Sequence, residues 1–191
     1  SGSSWVEQTL LEYPAGAGYF GESLAISGDT LAVGARQEED NNQVRRGAVH
    51  VYLRTGATWS EQATLRGDGT NRFDDFGNPV SIDGDTVVVG AVGVDGANNK
   101  GSERNGDAMV NSGAAFVFTR TGNLWTQHPR LEPDTVTVNA LFGWSTAVSG
   151  NTVLIGAYNE DDPTKPGAAY VFTGTTIVNP LTGAFSSVYA G

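Results

Sequence analysis

The sequence predicts an all-β chain built from three repeats of four antiparallel strands, and two observations support this prediction. First, an eight-residue stretch occurs three times, at residues 28–35 (GDTLAVGA), 84–91 (GDTVVVGA) and 150–157 (GNTVLIGA). Second, the 191 residues include 26 glycines, and no window shows sustained apolar spacing at the period of an α-helix. A chain that repeats itself in this way, with many turn residues, is typical of stacked β-units.

Each copy of this stretch lies between the same flanking signals. A Phe-Gly pair with an alternating run precedes it, and a Gly-Ala stretch rich in aromatic residues follows it. A stretch that begins with tryptophan comes last in the first two repeats, and a further copy precedes the first repeat. Four signals per repeat predict four strands per repeat. The signals begin at residues 20, 47 and 59 in repeat one, 76, 113 and 125 in repeat two, and 142 and 167 in repeat three, with the additional tryptophan stretch at residues 5–11.

The strands of the first repeat are predicted near residues 22–27, 30–35, 47–54 and 59–66. Gly28 and Asp29 join the first two, and this dipeptide suits a tight hairpin because glycine adopts positive φ without steric cost. The second strand of each repeat is largely apolar, which predicts burial on both faces and therefore a stack of sheets. Stacked four-stranded sheets at this period indicate blades of a β-propeller. The lead-in strand spans residues 5–11, and the repeats span about residues 20–66, 76–131 and 142–190.

Charge and cysteine content exclude several functions. The chain carries 11 Lys and Arg against 21 Asp and Glu, a formal net charge of −10. Nucleic acid is therefore not expected as a partner, because phosphate binding draws on basic side chains. Without cysteine the chain has no disulfide framework, thiolate metal site or cysteine nucleophile. No apolar run has the length of a transmembrane helix, so no membrane insertion is predicted.

Taken together, the repeated signals resemble the FG-GAP repeat of integrin α-subunit propellers, and more closely its bacterial extracellular relatives. The resemblance covers about residues 5–174 and rests on the Phe-Gly pair, the Gly-Ala pair after an apolar strand, the acidic loop and the aromatic stretch that follows. It implies a propeller fold, an extracellular or cell-surface setting, and adhesion or ligand binding. It also implies calcium in the loop between the second and third strands.

The loops between the second and third strands contain the candidate calcium ligands. Calcium requires several oxygen ligands on a short loop, and carboxylate and amide oxygens supply them. None of the three loops has the alternating acidic spacing of the integrin sites, so solvated polar loops are the alternative interpretation. The candidates are Glu38, Glu39 and Asp40 in repeat one, Asp95 and Asn98 in repeat two, and Asn159, Glu160, Asp161 and Asp162 in repeat three.

No catalytic residue is predicted. His50 and His128 each replace an ordinary structural residue of the other repeats, and no nucleophile-elbow or zinc-hydrolase motif is present. We therefore expect a non-catalytic module for binding, adhesion or self-assembly. A hydrolase with its site in the central channel is the alternative from another functional class, because blades far apart in sequence can contribute a carboxylate pair.

Trp144 is the leading candidate for an exposed binding aromatic. The other repeats carry the polar residues Glu22 and Asn78 at this position. Exposed aromatic residues are frequent anchors for partners, so a protein or glycan ligand is expected here. Trp5 recurs at a fixed place in the repeats, and packing between blades is the simpler interpretation for it.

Three blades leave two blade faces open, because a propeller closes with about four to eight. The chain therefore belongs to a larger integrin-like propeller or covers these faces with other subunits. Residues 182–186 resemble the start of the tryptophan stretch. If they supply the last strand of repeat three, strand 5–11 is left over and needs a partner; if they do not, strand 5–11 completes repeat three, in the same chain or in a neighbour. We expect a homo-oligomer or filament joined through blade faces and terminal strands, with Trp5 and Leu11 at the interface.

The acidic loops generate the first testable prediction. Calcium should raise the free energy of unfolding by mass action, by about 3 kcal/mol at a hundredfold excess over its dissociation constant. Thermal melting in calcium and in chelator measures this effect. Identical melting curves in the two buffers would contradict calcium binding.

Overall fold

The computed structural model describes residues 4–13, 17–95, 111–134, 139–159, 167–174 and 185–186. No helix in this part of the chain has the length and hydropathy needed to cross a membrane. The strands are β1 (Ala17–Gly18), β2 (Ser23–Ser27), β3 (Thr30–Ala35), β4 (Gln37–Glu38), β5 (Ala48–Thr55), β6 (Thr58–Leu65), β7 (Val80–Asp83), β8 (Thr86–Ala91), β9 (Ala114–Thr121), β10 (Leu124–Gln127), β11 (Phe142–Ser149), β12 (Thr152–Ala157), β13 (Ala168–Gly174) and β14 (Phe185–Ser186).

Most of these strands form three antiparallel sheets of four strands each. The first, blade 1, contains β2, β3, β5 and β6. Blade 2 contains β7 to β10, and blade 3 contains β11 to β14, each in chain order across the sheet. The remaining pair, β1 and β4, forms a separate two-stranded sheet. The prediction of an all-β chain with three propeller-type blades is confirmed.

Tight turns join the first and second strands of every blade. Gly28, Gly84 and Gly150 adopt φ angles of 57°, 55° and 56°, a region in which a residue with a β-carbon is strained. The second strand then lies inside each sheet, between the first and third strands. In blade 2 its consecutive residues Val87 and Val88 are both fully buried, as their apolar run predicts for a strand covered on both faces.

The blades stack through two apolar clusters, and equivalent positions of the repeats meet in both. The face of a blade that packs on the following blade is called its forward face, and the face that carries the Phe of the Phe-Gly pair is called its rear face. The forward faces contain Ala32, Val49 and Val51 in blade 1 and Val88, Ala115 and Val117 in blade 2. The rear faces contain Phe76, Val80, Ile82 and Phe116 in blade 2 and Phe142, Val148, Ile155 and Tyr170 in blade 3.

The Phe-Gly pair also joins neighbouring blades through its backbone. Phe76 forms a parallel bridge with Gly47, across the junction of blades 1 and 2. The carbonyl oxygen of Gly77 lies so close to Gly34 that a β-carbon on Gly34 would overlap it. The junction of blades 2 and 3 repeats these contacts with Phe142, Gly113, Gly143 and Gly90. Only glycine at these second-strand positions allows the next blade to approach to this distance.

Side chains of the first strand add polar contacts between blades. The hydroxyl of Ser23 accepts a hydrogen bond from the amide of Val80 at 2.7 Å, and the hydroxyl of Ser27 accepts one from Gly84 at 3.0 Å. In the next junction, the carboxylate of Asp83 accepts from the amide of Gly150 at 2.6 Å. These bonds satisfy amides at the beginning and end of the next blade's first strand, and they fix the register between blades.

The predicted strands at the two ends of the chain have different outcomes. Residues 4–13 contain no strand, so the strand predicted at residues 5–11 is not formed within this chain. A strand needs a neighbouring backbone for its hydrogen bonds, and none pairs with this segment among the described residues. The tail does supply the last strand of repeat three, since Thr173 pairs with Ser186 and Gly174 with Phe185. The rest of residues 175–190 lies outside the described residues.

The blade junctions generate the second prediction. Gly90→Ala should lower the free energy of unfolding by about 1–3 kcal/mol, because its methyl group would overlap the Gly143 carbonyl and push blade 3 away. Gly156→Ala is the matched control, since its methyl group would meet only the movable side chain of Ser145. Urea unfolding of the two variants, at one protein concentration at which both are monomeric, measures the difference. Equal losses would contradict the role of the close contact.

Candidate binding surfaces and acidic loops

The first strand of blade 1 carries an exposed apolar strip on the rear face. Leu24 and Ile26 alternate on β2 and are 63% and 62% exposed. Val80, the equivalent of Leu24, is 7% exposed at the junction of blades 1 and 2, and Ile82, the equivalent of Ile26, is partly buried there. Tyr19, which precedes the Phe-Gly pair of blade 1, is also more than half exposed. Single exposed apolar residues are ordinary, but a row of them at positions that are buried in the next repeat indicates a contact surface.

The forward face of blade 3 is the second exposed apolar surface. Leu154 on β12 and Val171 on β13 are 43% and 53% exposed. Val88 and Val117, their equivalents in blade 2, are completely buried against blade 3. The two outward faces therefore carry the residue positions that pack together at the two internal junctions.

Trp144 lies at the edge of this second surface and is about half exposed. Its ring stacks on that of Tyr158, with centroids 5.1 Å apart and an interplanar angle of 27°. In blade 1 the equivalent residues Glu22 and Arg36 form an ion pair at 2.5 Å. Our sequence reasoning missed Tyr158, although aligning the loops on the Gly-Ala pairs places it directly after the second strand, where repeat one has Arg36.

The N-terminal segment lies along the outer edge of blade 1. The indole of Trp59 donates a hydrogen bond to Gln8 at 3.2 Å, as the indole of Trp125 donates to Gln62 at 3.0 Å between blades 2 and 1. Gln8 is the repeat equivalent of Gln62. The segment thus occupies the place that the fourth strand of a preceding blade would take.

The two candidate interface residues in this segment have different environments. Trp5 is completely exposed, so the expected packing of its ring between blades is wrong. Leu11 is partly buried. Beyond it, the ring of Tyr13 lies 5.3 Å from Phe20 and 4.2 Å from His50. The segment is therefore held at its Tyr13 end rather than at Trp5.

His50 is the centre of a buried charged cluster on the rear face of blade 1. It takes the place of Phe116 and Tyr170 and is completely buried. Its Nε2 lies 2.5 Å from a carboxylate oxygen of Glu38, and its Nδ1 lies 2.9 Å from Glu61. Both ring nitrogens donate when the imidazole is protonated, so the two carboxylates favour the charged ring.

Neighbouring groups complete the cluster and set its protonation. Burial by itself lowers the pKa of His50, but the hydrogen bonds and charges of Glu38 and Glu61 outweigh burial and raise it. Arg66 pairs with the other oxygen of Glu38, and the Thr64 hydroxyl donates to Glu61 at 2.8 Å. Tyr13 and Tyr52 cover the cluster, and the pKa of each is raised by burial and by the nearby carboxylates.

The carboxylates of the first acidic loop are already paired with basic side chains. Glu38 belongs to the His50 cluster, Glu39 lies 3.3 Å from Arg45, and Asp40 lies 3.0 Å from Arg46. Asp40 also accepts hydrogen bonds from two backbone amides of its own loop. A calcium ion would have to displace these partners, so the first loop does not fit the predicted calcium site.

The other predicted calcium ligands are described only in part. The pKa of Asp95 is raised by burial, and one of its carboxylate oxygens is buried without a hydrogen-bond partner. Asn159 is exposed, and its backbone amide donates to the carbonyl oxygen of Ala140 at 3.2 Å. No group of three or more His, Asp or Glu side chains suited to a metal ion occurs among the described residues. Asn98, Glu160, Asp161 and Asp162 lie outside them.

Comparison with known proteins identifies the repeats. The family model described as FG-GAP repeat matches residues 14–52, 59–118 and 125–172, which is most of the chain. Each match begins at a tryptophan stretch, or just after one, and ends in the third strand of the following blade. A search of the curated proteins found no match.

The His50 cluster generates the third prediction. The pKa of His50 is higher in the folded chain than its ordinary value of 6.5, so protonated His50 stabilises the fold. That stabilisation is fully present below the unfolded pKa and is lost as the pH rises through the folded pKa. The free energy of unfolding of the wild type should therefore fall above about pH 6.5 relative to His50→Phe, which carries the residue of repeat two.

Urea unfolding of the two proteins across neutral and mildly alkaline pH measures this difference. Other groups, such as Asp74 with its pKa raised by burial to about 6, are present in both proteins and cancel in the comparison. A difference in unfolding free energy that does not change with pH would contradict the charged state of His50.

Proposed function

Because the chain belongs to the FG-GAP repeat family, we propose that it is a non-catalytic binding module of an extracellular or cell-surface protein. FG-GAP repeats are typical of such proteins. In this module, blades of neighbouring subunits complete one another, and the resulting assembly serves adhesion. Calcium in the second or third acidic loop is part of the proposal, because Asp95 has a buried carboxylate oxygen without a partner.

The observation that carries this proposal is the position of the N-terminal segment. Its Gln8 contacts Trp59 in the way that Gln62 contacts Trp125 between neighbouring blades. The fourth strand of blade 3 contributes two paired residues, Phe185 and Ser186, among the described residues. The N-terminal segment thus follows the course that a fourth strand takes beside a neighbouring blade. In the described part of the chain, Thr173 and Gly174 of β13 are paired with the tail.

Residues 9–11 match the remaining part of β13. In blade 1, Ala63, Thr64 and Leu65 pair with the inner half of β5, and residues 9–11 are their repeat equivalents. An extended segment that adds to an open sheet edge gains backbone hydrogen bonds along its whole length. A neighbour's N-terminal segment can therefore extend blade 3 next to the two residues that the tail already pairs.

The environment of His50 supports a non-catalytic role. His50 is completely buried, and both of its ring nitrogens are engaged by carboxylates. A general base must reach a substrate proton directly or through one water, and a buried ring with both nitrogens engaged does not.

The fourth prediction concerns the N-terminal segment. Deleting residues 1–12 should convert an assembly into monomers of about 18–19 kDa, because it removes the segment that pairs with a neighbour and leaves Tyr13 in place. Light scattering coupled to size exclusion measures the molar mass of both proteins. A folded wild-type chain that stays at 20.0 kDa at every concentration would contradict the proposed assembly.

A further inference from the structure

We propose that a second copy of this chain docks head to tail, with the rear face of its blade 1 on the forward face of blade 3, in the register of the two internal junctions. The proposal rests on the proposed function and names the partner and the atoms that meet. Within the chain, a forward face packs on a rear face twice, between blades 1 and 2 and between blades 2 and 3. The forward face of blade 3 and the rear face of blade 1 are the repeat equivalents of these packed faces.

The apolar residues of the two outward faces are complementary. Val80 and Ile82 of blade 2 pack against the forward face of blade 1. In the proposed contact, their equivalents Leu24 and Ile26 pack on Leu154 and Val171 of the other copy. All four side chains are more than two-fifths exposed, so docking removes apolar surface from water.

The aromatic residues at the edge of the faces form the second part of the contact. Within the chain, Arg36 of blade 1 lies 3.3 Å from Asp75 of blade 2. The equivalent positions of the outward faces hold Tyr158 and Tyr19, both exposed. Docking therefore brings Tyr19 against the stacked pair of Tyr158 and Trp144, and an aromatic cluster replaces the internal ion pair.

Polar groups at the outward faces match as well. At the internal junction, Ser23 and Ser27 accept hydrogen bonds from the amides of the next blade's first strand. Their equivalents in blade 3, Ser145 and Ser149, face the end of the stack and are exposed. In the proposed contact they accept from the amides of Leu24 and Gly28 of the second copy.

The glycine contact is also prepared on both sides. At Gly156 the movable hydroxyl of Ser145 occupies the space that the carbonyls of Gly77 and Gly143 fill at the internal junctions. On the opposite face, nothing lies within 4 Å of the corresponding direction at Gly21. The carbonyl of Gly21 can therefore approach Gly156 once the side chain of Ser145 rotates away.

The Phe-Gly pair of blade 1 already has the backbone conformation of a docked pair. Tyr19 has a φ of 63° and Gly21 a φ of 88°. The equivalent residues of blades 2 and 3, which are docked, have φ values of 58° and 109°, and of 54° and 92°. Little backbone rearrangement is needed for docking, and a preformed contact surface costs little conformational entropy on binding.

The test uses variants that disable one face each. Leu24→Glu places a charge on the rear face of blade 1, and Leu154→Glu places one on the forward face of blade 3. Each variant alone should associate at least about tenfold more weakly than the wild type, since a buried unpaired charge is costly. Leu124→Glu is the matched control, because Leu124 is 69% exposed on the hairpin of β9 and β10, outside both faces, and it should associate as the wild type does.

Mixing the two disabled variants distinguishes head-to-tail docking from any other arrangement. The mixture retains one intact pair of faces, so it should form a 1:1 dimer of twice 20.0 kDa in sedimentation velocity, whereas each variant alone stays monomeric. Gly156→Ala should also weaken the association of the otherwise unchanged chain, because its methyl group occupies the place of the Gly21 carbonyl. Near-UV circular dichroism of each variant checks that the fold is retained.

The outcomes separate this inference from the proposed function. If the wild type associates and the two disabled variants associate equally well, the assembly uses another surface and the head-to-tail contact is wrong, while the assembly module stands. If the disabled variants are monomeric but their mixture does not dimerise, the contact is not head to tail. If the wild type is monomeric at every concentration, both proposals fail.

Discussion

The close approach of a Phe-Gly carbonyl to a second-strand glycine is the contact on which the stack of blades depends. At both internal junctions the carbonyls of Gly77 and Gly143 occupy the space in which Gly34 and Gly90 would otherwise carry a β-carbon. This contact sets the distance between sheets, and the apolar clusters on either side then fill that distance. Because interiors are close-packed, a single methyl group at the contact is enough to separate neighbouring blades.

The same dependence explains why apolar residues are exposed on the two outer faces of the described blades. Each junction requires a forward face and a rear face, so any stack presents one of each at its ends. In this chain the exposed apolar residues of the two outer faces are Leu24, Ile26, Leu154 and Val171. Edge strands and open faces that are not blunted by charge favour further association. The rear face is partly covered by the N-terminal segment through Tyr13, above the buried His50 cluster.

Much of the fold was predictable from the repeats. The positions of the strands, the hairpin turns at Gly28 and its equivalents, and the buried second strands follow from local patterns that recur three times. The sequence alone was less informative about the sites. It indicated a calcium ligand at Glu38, whereas that carboxylate pairs with His50 and Arg66, which are distant in sequence. Ion pairs of this kind depend on strand register and twist, which composition does not encode.

By itself the sequence determined the family of the chain, its number of blades and the equivalence of residues between them. The tertiary structure decided which of those equivalent residues are covered. Val88 and Leu154 come from the same repeat position, yet one is completely buried and the other is 43% exposed, because a blade lies in front of only the first. It also decided that residues 5–11 form no strand within this chain, although their pattern is that of a strand. A strand exists only where another backbone accepts its hydrogen bonds.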